Sequence, residues 1–136
     1  MGKKQKQKQK LRNKIMSPID ITQFNVKEGN LNFEIRVGQI NWQNPLPLQL
    51  VRVGRVGSFI SLIKNGSKLT YSHFDVETGE KNDIEVDVST LVNERSYAFV
   101  LSWSSSENIM RIFIDGDLKG EKSLITSSEE SVKLEA

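Results

Sequence analysis

Strict two-residue alternation of apolar and polar side chains is the feature that most constrains this chain. Leu31, Phe33, Ile35 and Val37 alternate with Asn32, Glu34, Arg36 and Gly38. Tyr97, Phe99, Leu101 and Trp103 repeat the pattern against Ala98, Val100 and Ser102, and Ile84, Val86 and Val88 repeat it beside Asp83, Glu85 and Asp87. Successive side chains of a strand point to opposite faces, so each run has one face to bury and one to leave in water. No segment carries a helical stripe of comparable length.

Turn signals divide the rest into further strands. Ile19, Ile21, Phe24 and Val26 suggest a first strand, with Glu28-Gly29-Asn30 as the turn after it. Gly38 to Pro47 reads as a loop by its Asn, Pro and Gly content. Leu48 to Val53 is a strand, Gly54 and Gly57 bracket a break, and Ser58 to Lys64 resumes. Asn65-Gly66 marks a hairpin, with Lys68 to Phe74 as the return strand. Ser89 to Glu94 suits one helical turn capped by Ser89. Ile109 to Ile114 and Asp117 to Leu124 form a second hairpin about Asp115-Gly116. Roughly seven to nine short strands joined this way predict an all-β fold, an antiparallel two-sheet sandwich. The expected organisation is a basic tail over 1–16, a sandwich over 17–126 and a polar tail over 127–136.

Charge is distributed unevenly. Residues 1–14 hold seven of the 19 basic residues and none of the 17 acidic ones; the remainder has 12 against 17, a net −5. The tail, including Lys3, Lys4, Lys6, Lys8 and Lys10, cannot bury enough apolar surface to offset ordering entropy and is expected to be flexible. It would suit nucleic acid or an anionic membrane surface, or would serve as a solubilising leader. It has no aromatic residue to stack on bases. With no cysteine and one histidine, disulfides, thiolate metal sites and multi-histidine sites are excluded, and no metal or cofactor is expected. No apolar run approaches the roughly 20 residues that span a bilayer. No signal peptide is read, which favours a cytoplasmic location or release with an assembly.

The segment Tyr97 to Leu124 has an apolar strand ending in Trp103, a polar loop, a strand running into Asp115-Gly116, and a return strand. This resembles the closing part of a concanavalin A-like or laminin G-like jelly roll. Leu31 to Val37 and the hairpin around Asn65-Gly66 resemble earlier strands of the same superfamily. The likeness spans Leu31 to about Leu124 and implies a reduced-size member. It further implies a module that binds glycans or proteins, some members of the superfamily being polysaccharide hydrolases.

Several residues are candidates for function. Trp42 lies among Asn41, Gln43 and Asn44, where an aromatic face beside amides would suit a sugar or a protein surface, or would fold down as a lid on the core. Asp83, Glu85 and Asp87 share one strand face. They would form a weak cation site or the acids of a small glycoside hydrolase, or would be a solvated edge. His73 is in phase with Leu69 and Tyr71, as a hydrogen-bonded core histidine would be. Arg52 and Arg55 flank Gly54, where an anion would bind or a strand would break.

The function expected is therefore a non-catalytic, lectin-like binding or assembly module, of the kind that belongs in a larger phage or toxin particle, and oligomerisation would suit it. Asn41, Trp42 and Asn44 are its expected contact residues. The alternatives are a scaffold recruiting nucleic acid or membrane through the tail, and a small hydrolase.

Overall fold

The computed structural model describes residues 24–124, which form eight strands and no helix. These are β1 (Glu28–Ile35), β2 (Leu48–Arg55), β3 (Ser58–Asn65), β4 (Lys68–Asp75), β5 (Glu80–Asp87), β6 (Tyr97–Ser104), β7 (Ile109–Ile114) and β8 (Asp117–Ser123). Two antiparallel four-stranded sheets result, ordered β1-β6-β7-β8 and β2-β3-β4-β5. The chain starts in one sheet, runs a complete meander in the other, and returns to place β6 beside β1. Lys3, Lys4, Lys6, Lys8, Lys10, the Ile19 and Ile21 part of the expected first strand, and the segment 127–136 lie outside the described residues; the remaining part of that strand, Phe24 and Val26, is irregular backbone and turn and not strand. Among the described residues no helix is long and apolar enough to cross a membrane.

The alternating runs bury the faces they predict except at Val37, which lies beyond the end of β1 and is exposed, and at Leu31, which is half-buried. Phe33, Ile35, Val86, Phe99, Leu101 and Ile112 are all buried between the sheets. Phe33 and Phe99 are cross-strand partners on β1 and β6, and their rings stack at 5.3 Å. Tyr71 on β4 reaches across the core and donates its hydroxyl to the Ser102 carbonyl on β6 at 2.8 Å. Burial holds that phenol far above its ordinary pKa, so it remains a donor at all ordinary pH. The sheets also meet at one side, where β8 lies against β5. A Cβ on Gly120 would stand 2.4 Å from the Ile84 methyl, so only glycine permits that approach.

Four local expectations are corrected. First, β1 begins at Glu28, so Glu28-Gly29-Asn30 is strand and not turn; it pairs with Ser104, Trp103 and Ser102. The Trp103 indole covers Gly29, filling the space a side chain would need. Second, β2 continues through Gly54 to Arg55, and the break there is a tight hairpin at Val56-Gly57, both at positive φ. Third, Asn65 pairs with Lys68, so the central turn residues are Gly66 and Ser67, one place later than expected. Fourth, Ser89 to Glu94 forms turns and no helix.

Phe99 touches both the β1 ring and, as described below, the Trp42 ring. Phe99→Ala should lower the unfolding free energy in urea by about 3–5 kcal/mol, the usual cost of an aromatic core truncation. A loss below about 1 kcal/mol would show that this stack is not central to the core.

Candidate functional site

The loop over 38–47 is closed, and this corrects the expectation of a surface tryptophan. Trp42 is 3% exposed. Its ring stacks on Phe99 at 6.2 Å and meets Tyr97 edge-on at 5.8 Å. The surrounding amides are engaged internally. Asn93, 52 residues away from Asn41, accepts the Trp42 backbone N–H at 2.7 Å and donates to Asn41 Oδ1 at 3.1 Å and Gln43 Oε1 at 2.8 Å. Asn44 accepts the Leu46 N–H through its side chain, and its carbonyl accepts from the buried Lys64 ammonium at 2.7 Å. Burial pushes the Lys64 pKa down. Asn41, Trp42 and Asn44 are thus brought together, but as a lid, with the aromatic face turned to the core.

The outward face of the β2–β5 sheet is built differently. Cross-strand partners share a face in an antiparallel sheet. The register therefore lays three rows across the strands. One row is Gly54, Phe59, Phe74 and Lys81; the next is Arg52, Ser61, Ser72 and Asp83; the third is Gln49, Ile63, Thr70 and Glu85. The middle row has two serines at its centre, both shorter than the side chains flanking them. Both serines are buried, so the row is the closed floor of a shallow trough whose half-buried walls are Phe59 and Phe74 on one side and Ile63 and Thr70 on the other.

The two phenyl rings are half-buried and lie 5.5 Å apart at a 32° tilt. Arg52 lays its guanidinium over the Phe59 ring, 4.0 Å from its centroid. Side-chain-less Gly54, opposite Phe59, leaves the room for it. At the far end Ser72 donates to Asp83 Oδ1 at 2.6 Å, and Lys81 stands 3.9 Å from the same carboxylate. The trough spans three strand spacings, about 14 Å.

Asp83, Glu85 and Asp87 share the outward face of β5, as expected. They do not converge. Asp83 is held by Ser72, whereas Asp87 accepts the Ser89 backbone N–H at 2.8 Å, which depresses its pKa. Among the described residues no group of three or more His, Cys, Asp or Glu could hold a metal ion, so the cation reading of this face is not carried. The acids form the far rim of the trough instead.

A second concavity, about 550 Å³, lies at one end of the sandwich and is lined by Phe24, Lys27, Arg55, Val56, Val76 and Glu77 among others. Its charges are already satisfied. Lys27 pairs with buried Asp75 and, at 3.3 Å, with Glu77, and Arg55 also has an interaction partner. The Asp75 hydrogen bond raises the Lys27 pKa. Desolvation pushes Asp75 up, but the Lys27 ammonium and the Glu77 N–H outweigh it and hold the carboxyl below its ordinary value.

Beneath this groove the segment 24–27 is strapped to both sheets. Trp103 Nε1 donates to the Asn25 carbonyl at 2.8 Å, and His73 Nε2 donates to the Val26 carbonyl at 2.6 Å. His73 is therefore the structural core histidine that its phase implies. Its Nδ1 is buried without a partner, so a second proton there would be uncompensated.

The residues that stand out in the structure, Phe59 and Phe74, were not among the sequence candidates. The signal available was their equal distance from the hairpin turn: each lies seven residues from the nearer of Gly66 and Ser67. No protein-family model matches the chain, and a search of the curated proteins finds no match to it either.

Two outcomes follow from the buried groups. Trp42→Ala should destabilise by about 3–5 kcal/mol, read as a lower urea midpoint; an unchanged midpoint would return Trp42 to the surface. Burial lowers the folded pKa of His73 below 6.5, with the Val26 carbonyl opposing. The unfolded chain then takes up the proton first as pH falls. Stability is fully present above pH 6.5 and declines as pH drops from there to the depressed folded value. Asp75, depressed below 3.8, adds a further loss as pH falls from 3.8 through its folded value. His73→Gln should flatten the first of these declines, and a slope equal to that of the parent chain would assign it to another group.

Proposed function

We propose that the protein is a non-catalytic, lectin-like module of the concanavalin A-like jelly-roll type, and that it takes a glycan across the outer face of β2–β5. The observation that carries this reading is the trough itself. An apolar wall of two half-buried phenyl rings stands beside a closed floor of buried Ser61 and Ser72, with the Thr70 hydroxyl opposite and charged groups at both ends. Sugars present an apolar ring face and a rim of hydroxyls. Their recognition needs flat aromatic surface together with hydroxyl, amide or carboxylate partners at fixed positions. Strands hold those positions without further ordering, whereas the amides of the 38–47 loop are spent on Asn93 and the backbone.

The jelly-roll resemblance supports the same reading. The two apolar runs that carry it, Leu31 to Val37 and Tyr97 to Trp103, supply adjacent paired strands. The chemistry of the face favours binding over turnover. A retaining glycosidase needs two carboxyl groups about 5–5.5 Å apart, across the scissile bond. Here the acids lie along a single strand at one end of the trough, and Asp83 is already bonded to Ser72.

A glycan array probed with the full chain should show retention, and Phe74→Ala or Phe59→Ala should weaken it by roughly 30-fold, the cost of removing an interface anchor of about 2 kcal/mol. Wild-type protein that retains no glycan, or variants that bind as the parent does, would overturn the proposal.

A further inference from the structure

We infer that the trough, taken as the glycan site proposed above, is built for a chain ending in a single carboxylate-bearing sugar, with neutral sugars trailing towards β5. The inference rests on the asymmetry of its two ends. At the β2 end Arg52 is exposed, and among the described residues it has no carboxylate partner; its recorded interaction is the stack on Phe59. A guanidinium lying flat on a ring still presents its N–H edge in the plane, free to take a carboxylate through two parallel hydrogen bonds. The stack removes much of the rotamer freedom that an isolated surface arginine would lose on binding.

At the β5 end the groups have the opposite sign. Asp83 and Glu85 stand on adjacent outward positions, with Lys81 offsetting only one of them. A carboxylate or sulfate there would meet like charge, whereas neutral hydroxyls would find acceptors. The trough therefore sets both the composition and the direction of its ligand: acidic terminus on Arg52, ring faces against Phe59 and Phe74, hydroxyls towards Thr70, Asp83 and Glu85. A polyanion has no favourable orientation in it.

The test is titration of the full chain with four probes at fixed ionic strength: lactose, sialyllactose, a uronate-terminated lactose analogue, and a heparin oligosaccharide. Both acid-terminated probes should bind on the order of tenfold more tightly than lactose, the ratio that a charge-assisted pair supplies. A preference between them identifies which acidic sugar fits. Arg52→Gln should abolish the preference, so that both acid-terminated probes bind no more tightly than lactose does to the same variant, with an unaltered melting curve. Arg52→Lys should recover only part of the ratio, having the charge but not the fork.

Lactose bound as tightly as the acidic probes, or an acid preference that survives Arg52→Gln, would overturn this inference while leaving the glycan reading intact. Heparin binding that falls with Arg52→Gln as the acid-terminated probes do would overturn it too. No binding of any probe would remove the inference and the proposed function together.

Discussion

The row Val51, Leu62, Tyr71 and Ile84 crosses the β2–β5 sheet at its centre, and the rest of the molecule depends on its facing inward. Leu62 and Tyr71 are wholly buried, and the Tyr71 hydroxyl is tied to the opposite sheet through the Ser102 carbonyl. Side chains alternate strictly along a strand, so this one choice of phase decides every other position on β3 and β4. It sends Ile60 and Leu69 inward, and Phe59, Ser61, Ser72 and Phe74 outward. A one-residue slip would bury the trough and expose the core, which is why the register is strongly specified. The proposed binding face is the other side of a packing constraint, held in register by the core behind it.

How much was legible in the sequence follows from the same alternation. β1, β5 and β6 each pair an apolar face with a polar one, so their runs announce both strand and orientation. The sandwich and its main core residues were readable from them. β2 and β3 break the pattern for separate reasons. On β2 a bulge between Gln49 and Val51 turns Leu50 and Val51 inward in succession, which a period of two cannot describe. On β3 the segment Phe59-Ile60-Ser61-Leu62-Ile63 is apolar on both faces except at Ser61, because its outer face is itself partly covered. Such a run marks a strand but does not say which side faces water. The aromatic pair was hidden by one residue of turn register. A turn centred on Asn65-Gly66 would set Phe59 opposite Ser72, whereas the observed centre on Gly66-Ser67 sets it opposite Phe74. The Trp42 loop was misread because its partners come from far away in the chain. Nothing near residue 42 indicates that Asn93 will meet those amides.

Both ends of the sandwich are closed by polar groups that are buried or half-buried. At one end Lys64 and Asn93 hold the 38–47 loop. At the other His73, Asp75 and Trp103 hold the segment 24–27. Buried polar anchors contribute little net stability, but leaving any of them unpaired is costly. Each end is therefore either fully assembled or strongly disfavoured. Lys64 shows the arrangement plainly: its stem is buried in line with Leu69, and its ammonium reaches the rim to find the Asn44 carbonyl. Loops anchored in this way lose the freedom that usually suits sandwich loops to recognition.

With the loops committed to closure, the recognition proposed above falls to a sheet face, and this has consequences for strength. A shallow trough about 14 Å long covers far less area than a standard interface, so a single site is expected to bind weakly. Rigidity partly compensates, because Phe59, Phe74 and the stacked Arg52 are ordered before the ligand arrives and lose little entropy on binding. Selectivity is less dependent on area than affinity is. It arises from the opposite charges at the two ends of one row, which reward a ligand in one orientation and penalise its reverse. A face of this kind becomes effective when several copies engage one surface together, since linked weak sites gain orders of magnitude in avidity without any new contact. The same sheet that sets the specificity of one site would then leave strength to be set by the number of copies.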